Sequence, residues 1–132
     1  MKVLVIGDSC IDKFVYGNCD RICPEAPVPV FNPLSSKENI GMAGNVKSNI
    51  EALGIECDII TNKETIIKTR YVDNKTNQMI MRVDENDSCG RIKNIKNYDI
   101  KSYEAVIVSD YCKGFLHEDD IEYICKSNDN VF

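Results

Sequence analysis

The chain has 132 residues, 43% of them hydrophobic, which suits one small domain or part of a larger one with a true core. Its 16 basic and 21 acidic residues leave a net charge of −5, which argues against general nucleic-acid binding but not against a local basic pocket. No apolar run approaches the roughly 20 residues of a membrane span, and seven cysteines without CxxC spacing, beside the single His117, argue against structural zinc and for reduced thiols in the cytoplasm.

The opening KVLVIGD, 2–8, is continuously apolar and ends in Gly-Asp. That is the pattern of a buried parallel strand, and it is too short for a secretory leader. Ligands of open α/β sheets sit beyond the carboxyl ends of the strands. Asp8 and Asp12 therefore fall where chemistry is expected, although turn and capping roles fit the same spacing. DRICPEAPVPVF, 20–31, places three prolines within six positions. Proline fixes φ and pushes the residue before it toward extended geometry, so a stiff extended arm is expected, running along a sheet edge where a missing N–H costs little.

GMAGNVKSNIEALG, 41–54, reads as a helix with Val46, Ile50 and Leu53 on its inward stripe and Gly54 at the position after the C-cap. Gly41, Gly44 and Asn45 at its start would let a ligand reach free backbone N–H groups at the positive end of the dipole. Tight packing explains the same glycines. CDIIT, 57–61, is a second short apolar strand. TIIKTRYV and QMIMRVDE flank DNKTN and form a hairpin with one greasy and one partly charged face. Lys68 and Arg70, two apart, share a face, either as a phosphate-holding pair or as solvated charges.

YEAVIVSDYCKGF, 103–115, is the third core strand, with Asp110 and Lys113 at its carboxyl end. HEDDIEYICKS, 117–127, is a helix with an acidic first turn and Ile121, Ile124 and Cys125 facing inward, while His117 reads as a cap or surface residue. NDNVF, 128–132, is a turn followed by the start of a further strand. The fold class is α/β: a parallel central sheet flanked by helices, with a protruding hairpin.

Four segments occur in one order: GDSCIDKFVYGNCDRICPEAPVPVF, GMAGNVKSNIEALG, KTRYVDNKTNQMIMRVDE and VSDYCKGFL. Together they resemble the amino-terminal half of the ribokinase/PfkB-type sugar kinases. Within that group they are similar to the D-glycero-β-D-manno-heptose-7-phosphate kinases, the kinase domain of bifunctional ADP-heptose synthesis proteins. The resemblance implies that 1–132 is the amino-terminal part of a ribokinase-like domain, with β-lid elements near 15–40 and 67–84. The proline arm would then hold the lid edge at low ordering cost.

The resemblance makes Asp12 and Asn45 sugar-hydroxyl partners, a buried carboxylate and amide that together read a vicinal diol. It makes Gly41 the point of backbone access, and Arg21, Lys68, Arg70 and Lys113 candidates for the substrate's phosphate. Asp110 joins this substrate-binding set. The implied reaction is ATP-dependent phosphorylation of heptose 7-phosphate at the anomeric hydroxyl, in ADP-heptose and lipopolysaccharide biosynthesis. ATP and Mg2+ are implied, but their site falls largely outside these residues. The expected partners are a sugar phosphate and either a second copy joined through the lid or a carboxyl-terminal half, with no nucleic acid and no membrane.

Three departures from the family pattern stand out. Met42 follows Gly41 where a second glycine is usual. Only a few residues join CDIITN to TIIKTR, where the family has a further βα unit. The GAGD-type loop that supplies the general base and anion hole is absent, so no catalytic residue and no metal ligand is assigned, and the chain alone is expected to be inactive. Three readings follow: a truncated or split kinase, a non-catalytic sugar-phosphate-binding module, or a remnant too incomplete to fold stably.

Overall fold

The computed structural model describes residues 2–132. In chain order the elements are β1 (Lys2–Gly7), β2 (Ser9–Ile22), β3 (Pro29–Met42), α1 (Ala43–Ala52), β4 (Glu56–Ile60), β5 (Ile67–Asp73), β6 (Met79–Glu85), β7 (Ala105–Ser109) and α2 (Glu118–Ser127). They build two sheets. A three-stranded parallel sheet has the order β4-β1-β7, and a four-stranded sheet has the order β3-β2-β5-β6.

From Val3 to Ile6, β1 is continuously apolar because it is covered on both faces. Leu4 and Ile6 pack with Val106, Phe115, Leu116 and Ile124 on one side. Val3 and Val5 pack with Ala43 and Cys57 on the other, where Val46 and Ile50 of α1 join them. Leu4, Ile6, Val106 and Ile124 are wholly buried, and each such side chain contributes roughly 1.5–3 kcal/mol. The last residues behave as a strand start: Val131 bridges Val106 in parallel, and the Phe132 N–H donates to the Val106 carbonyl at 2.9 Å.

The second sheet is a chain of hairpins. β2 and β3 pair antiparallel, β5 adds to β2 in parallel, and β6 closes the β5 hairpin. The arm at 20–31 is only partly extended. The chain first tightens into a turn, with the Val28 N–H donating to the Ala26 carbonyl and the Cys23 N–H to the Val28 carbonyl, both at 2.8 Å. From Pro29 it runs as the edge strand β3, where Pro33 faces Gly17 at a register shift. An edge position tolerates both prolines because their missing donors face away from the ladder.

Three helical expectations need correction. Gly41 and Met42 close β3, and α1 starts only at Ala43. Leu53 is 77% exposed rather than inward: the helix ends at Ala52, so the inward stripe stops with Ile50. Gly54 does take the left-handed conformation, φ 77°, with its N–H on the Glu51 carbonyl at 2.9 Å. In α2, Ile124 is buried but Cys125 is exposed, because one residue turns the helix by about 100°. His117 is the N-cap residue, and its N–H donates to Asp120 Oδ2 at 2.9 Å. Among the described residues no helix is long and apolar enough to cross a membrane.

Candidate substrate site

The two sheets meet where β1 runs into β2, at Asp8. This side chain is fully buried. Its Oδ2 accepts the N–H groups of Tyr111 at 2.9 Å and Lys113 at 3.2 Å, and its Oδ1 accepts that of Phe115 at 3.3 Å. The Cys89 thiol lies 3.6 Å from Oδ1. Asp8 thus folds the loop after β7 back onto the core. That loop turns through Cys112 at φ 56° and Gly114 at φ 106°. The carboxylate spends its acceptor capacity on this framework, so the structural role of Asp8 wins over the chemical one. Burial, followed by the charge of Asp8, pushes the Cys89 thiol up to about 11.

Asp12 sits four residues on, in β2. Its Oδ1 takes Arg70 Nη1 at 2.6 Å, and the Arg70 guanidinium lies 5.2 Å from the centre of the Phe14 ring. Gly41 lies opposite Cys10 in the ladder. A Cβ there would fall 2.3 Å from Asp12 Oδ2 and 2.7 Å from Cys10 Sγ. A glycine is therefore required for the Asp12 carboxylate to occupy its place. Asn62 fixes the start of β2: its Oδ1 accepts the Ser9 N–H at 2.7 Å.

Hairpin register sets the cations. Lys68 faces Asp12 on one side and Asp84 on the other, so all three share a sheet face. Lys68 Nζ lies 3.2 Å from Asp84 and 3.0 Å from Asp87. Lys113 Nζ reaches the other oxygen of Asp87 at 2.8 Å, and Arg82 Nε holds Asp84 at 2.8 Å. Burial pulls the Lys68 ammonium down, but the hydrogen bonds it donates to Asp87 and Asp84 outweigh it and leave the pKa raised. Lys113 and then Lys68 hold Asp87 below the usual carboxylate range. Asp84 is also lowered: burial opposes the shift, and Lys68 and Arg82 overcome it.

Asp12, Gly41, Lys68, Arg70 and Lys113 thus gather around the junction of the sheets. Asn45, in the first turn of α1, is exposed and its amide has no partner among the described residues, so the expected buried carboxylate–amide pair is not formed. Arg21 is exposed, nine residues along β2 from Asp12, on the order of 30 Å at strand spacing, and is not brought to the cluster. Asp110 is exposed; it accepts the Cys112 N–H at 2.8 Å and lines a separate open cleft of about 620 Å³ with His117, Glu118 and Asp119. Asp84 and Asp87 were missed. The hairpin register pairs Lys68 with Asp84, which was readable from the alternation; Asp87 lies in a charged loop run and meets a lysine 26 residues later, which no local pattern marks.

No family model matches the chain. It is 34% identical over 149 residues to the "Bifunctional protein HldE" of a Nitratiruptor species, matching 87% of this chain and 32% of that protein. The HldE of Campylobacter fetus subsp. fetus is 33% identical over 152 residues, at 88% and 32% coverage. In fold it is similar to ribokinase from Giardia lamblia, with a TM-score of 0.55 at 16% identity, over 98% of this chain and 48% of that one. A carbohydrate kinase from Agrobacterium tumefaciens gives 0.52 at 14% identity, over 81% and 44%. The chain is similar in sequence to HldE proteins and has the fold of the part of the solved sugar kinases that it covers. It spans about a third of the length of the HldE proteins it matches and about half of the solved kinases. The matched HldE segments are longer than the whole of this 132-residue chain, so these relatives carry intervening residues that it lacks.

Proposed function

We propose that this chain forms the substrate-binding half of a carbohydrate kinase acting on a phosphorylated heptose, the ATP-dependent transfer going to the anomeric hydroxyl in ADP-heptose biosynthesis. The observation that carries the reading is the Asp12–Arg70 pair against Gly41, at the carboxyl end of the parallel sheet. Arg70 holds the Asp12 carboxylate in one orientation while the second oxygen stays available to accept sugar hydroxyls. A ligand lacking those hydroxyls would leave a charged acceptor unpaired, which discriminates strongly. Asn45, with its unpartnered amide a turn beyond Gly41, supplies a donor and an acceptor. Lys68 and Lys113 supply positive charge for the phosphate.

The family implies ATP and Mg2+, and the carboxylates beside Lys68 do not fit the cation. Asp84 and Asp87 are both engaged by ammonium or guanidinium groups, so neither is free to hold a cation. No group of three or more potential metal-ligating side chains gathers among the described residues. On this reading, residues 1–132 by themselves bind sugar phosphate without transferring phosphate. Half-exposed Ile40 and Met81, on one face of the four-stranded sheet, support pairing with a second copy through that sheet. A cytoplasmic location fits this metabolic role.

Calorimetric titration of D-glycero-D-manno-heptose 7-phosphate and of the unphosphorylated heptose tests the reading. Lys68→Met should weaken the phosphorylated sugar and leave the bare sugar nearly unchanged. Equal loss for both sugars would contradict the assignment of a phosphate end. Mass spectrometry after incubation with ATP should find no 1,7-bisphosphate, and its appearance would contradict inactivity of these residues alone.

A further inference from the structure

Asp87 lies between two ammonium groups. One carboxylate oxygen is 3.0 Å from Lys68 Nζ and the other 2.8 Å from Lys113 Nζ. The three residues come from three places: β5, the loop after β6, and the loop after β7. The lysines are well withdrawn from solvent, their side chains 11% and 20% exposed, while that of Asp87 is 40% exposed. A carboxylate that gives one oxygen to each of two cations occupies them as a bridging oxyanion would.

The surroundings let this occupant leave. Asp87 lies outside any strand or helix, next to Asn86 at φ 52°. The backbone tie to the core is two residues on, where the Cys89 N–H donates to the Lys113 carbonyl at 2.8 Å. Rotation of the Asp87 side chain therefore vacates the pair without breaking that tie. Lys68 keeps Asp84, which is itself shared with Arg82. Once Asp87 swings out, Lys113 loses its carboxylate while Lys68 and Arg82 share Asp84, so the site carries surplus positive charge. A dianion with three acceptor oxygens gains more there than a tethered monoanionic carboxylate.

We propose that Lys68 and Lys113 form a phosphate site whose built-in occupant is Asp87, a competing anion that a phosphoryl group displaces. The inference rests on the reading that the ligand is a phosphorylated sugar, and it adds what that reading lacks: a residue that sets the threshold for the phosphate. A carboxylate ligand gains little over Asp87, so the device selects phosphorylated sugars against sugar acids. Displacement also releases the contact that links the β5–β6 hairpin to the core loop, so phosphate binding and hairpin position are coupled.

The probe is inorganic phosphate, titrated calorimetrically at low ionic strength into the wild-type chain and into Asp87→Asn, Asp87→Ala, Lys113→Met and the Asp87→Asn/Lys113→Met double variant. Removing an occupant present in about nine of ten molecules should tighten phosphate roughly tenfold in both Asp87 variants. Lys113→Met should abolish the tightening. Backbone NMR of the wild type gives a readout that needs no variant: phosphate should shift the amides of residues 86–88 and Lys113, and leave those of the turn at 73–77 in place. Equal or weaker phosphate binding in both Asp87 variants, tightening that survives Lys113→Met, or a wild type whose 86–88 amides ignore phosphate would each overturn the inference. Should unphosphorylated heptose bind while phosphate does not, the phosphate site falls and the sugar reading stands; should neither bind, both fall.

Discussion

Replacing Asp8 should injure the fold and the site together. Its carboxylate is fully buried and accepts three backbone N–H groups, from Tyr111, Lys113 and Phe115. Hydrogen bonds to a charged group contribute about 1.5–3 kcal/mol each, but part of the freed loop can be rehydrated, so the terms do not simply add. Asp8→Ala should cost about 3–5 kcal/mol, in the range for removing one partner of a buried charged network. Asp8→Asn keeps an acceptor but turns an NH2 toward a backbone donor, and should cost about half as much. Urea unfolding followed by far-UV circular dichroism measures both, and a 3 kcal/mol loss corresponds to a melting point lower by roughly 10 °C. Because the Lys113 N–H is one of the three donors, Asp8→Asn should also weaken phosphate binding while leaving the Asp12–Arg70 pair intact. A loss below about 1 kcal/mol for Asp8→Ala would refute the framework role, since the three donors would then have found equal partners elsewhere.

Met42 holds φ 58° and ψ −130°, a region glycine enters freely, yet its side chain is buried against Cys10 and Ile66. Alanine is normally the better residue in a strand or helix, but here Met42→Gly should be more stable than Met42→Ala by about 1 kcal/mol, although both lose the buried side chain; thermal melts showing the usual order would contradict the strain. Alkylation at pH 8 followed by mass spectrometry should label the exposed Cys112 and Cys125 first and the buried Cys10 and Cys57 last, with Cys89 also slow because burial and Asp8 push its thiol up to about 11. The lowered carboxyls of Asp84, Asp87 and Asp120 stabilise the fold in full above their ordinary value of 3.8 and lose that contribution as pH falls through their lower folded values. The Cys89 contribution is complete below 9.0 and is lost as pH rises toward about 11, so stability should be flat between pH 5 and 8 and fall on both sides.

Strand type was legible because burial on both faces leaves a continuous apolar run, as in β1 and β7, whereas the hairpin strands alternate in sequence; the alternation did not reveal that β6 is almost wholly exposed, Met79 and Met81 included. Gly54 was legible because a left-handed backbone at a helix end favours glycine. Leu53 misled because apolar spacing marks a stripe but not the residue at which the helix stops. At the site, Asp12, Lys68 and Arg70 could be placed from strand parity and the family resemblance. Their charge partners could not: Asp12 finds Arg70 58 residues away, and Lys113 finds Asp87 across 26. Such pairs follow from how the two sheets meet, which local periodicity does not encode. Arg21 lay in a family-like segment, yet distance along β2 keeps it from the cluster.

The central claim is that the sugar-phosphate pocket lies at Asp12, beside Gly41 and Arg70. Calorimetric titration of D-glycero-D-manno-heptose 7-phosphate into the wild type, Asp12→Ala and Lys75→Ala tests it most directly. Lys75 is an exposed turn residue paired with Asp20, outside the cluster. The wild type should bind saturably. Asp12→Ala should lose about 1.5–3 kcal/mol, roughly ten- to a hundredfold in affinity, and Lys75→Ala should match the wild type. Equal losses in the two variants, or no saturable binding by the wild type, would contradict the account.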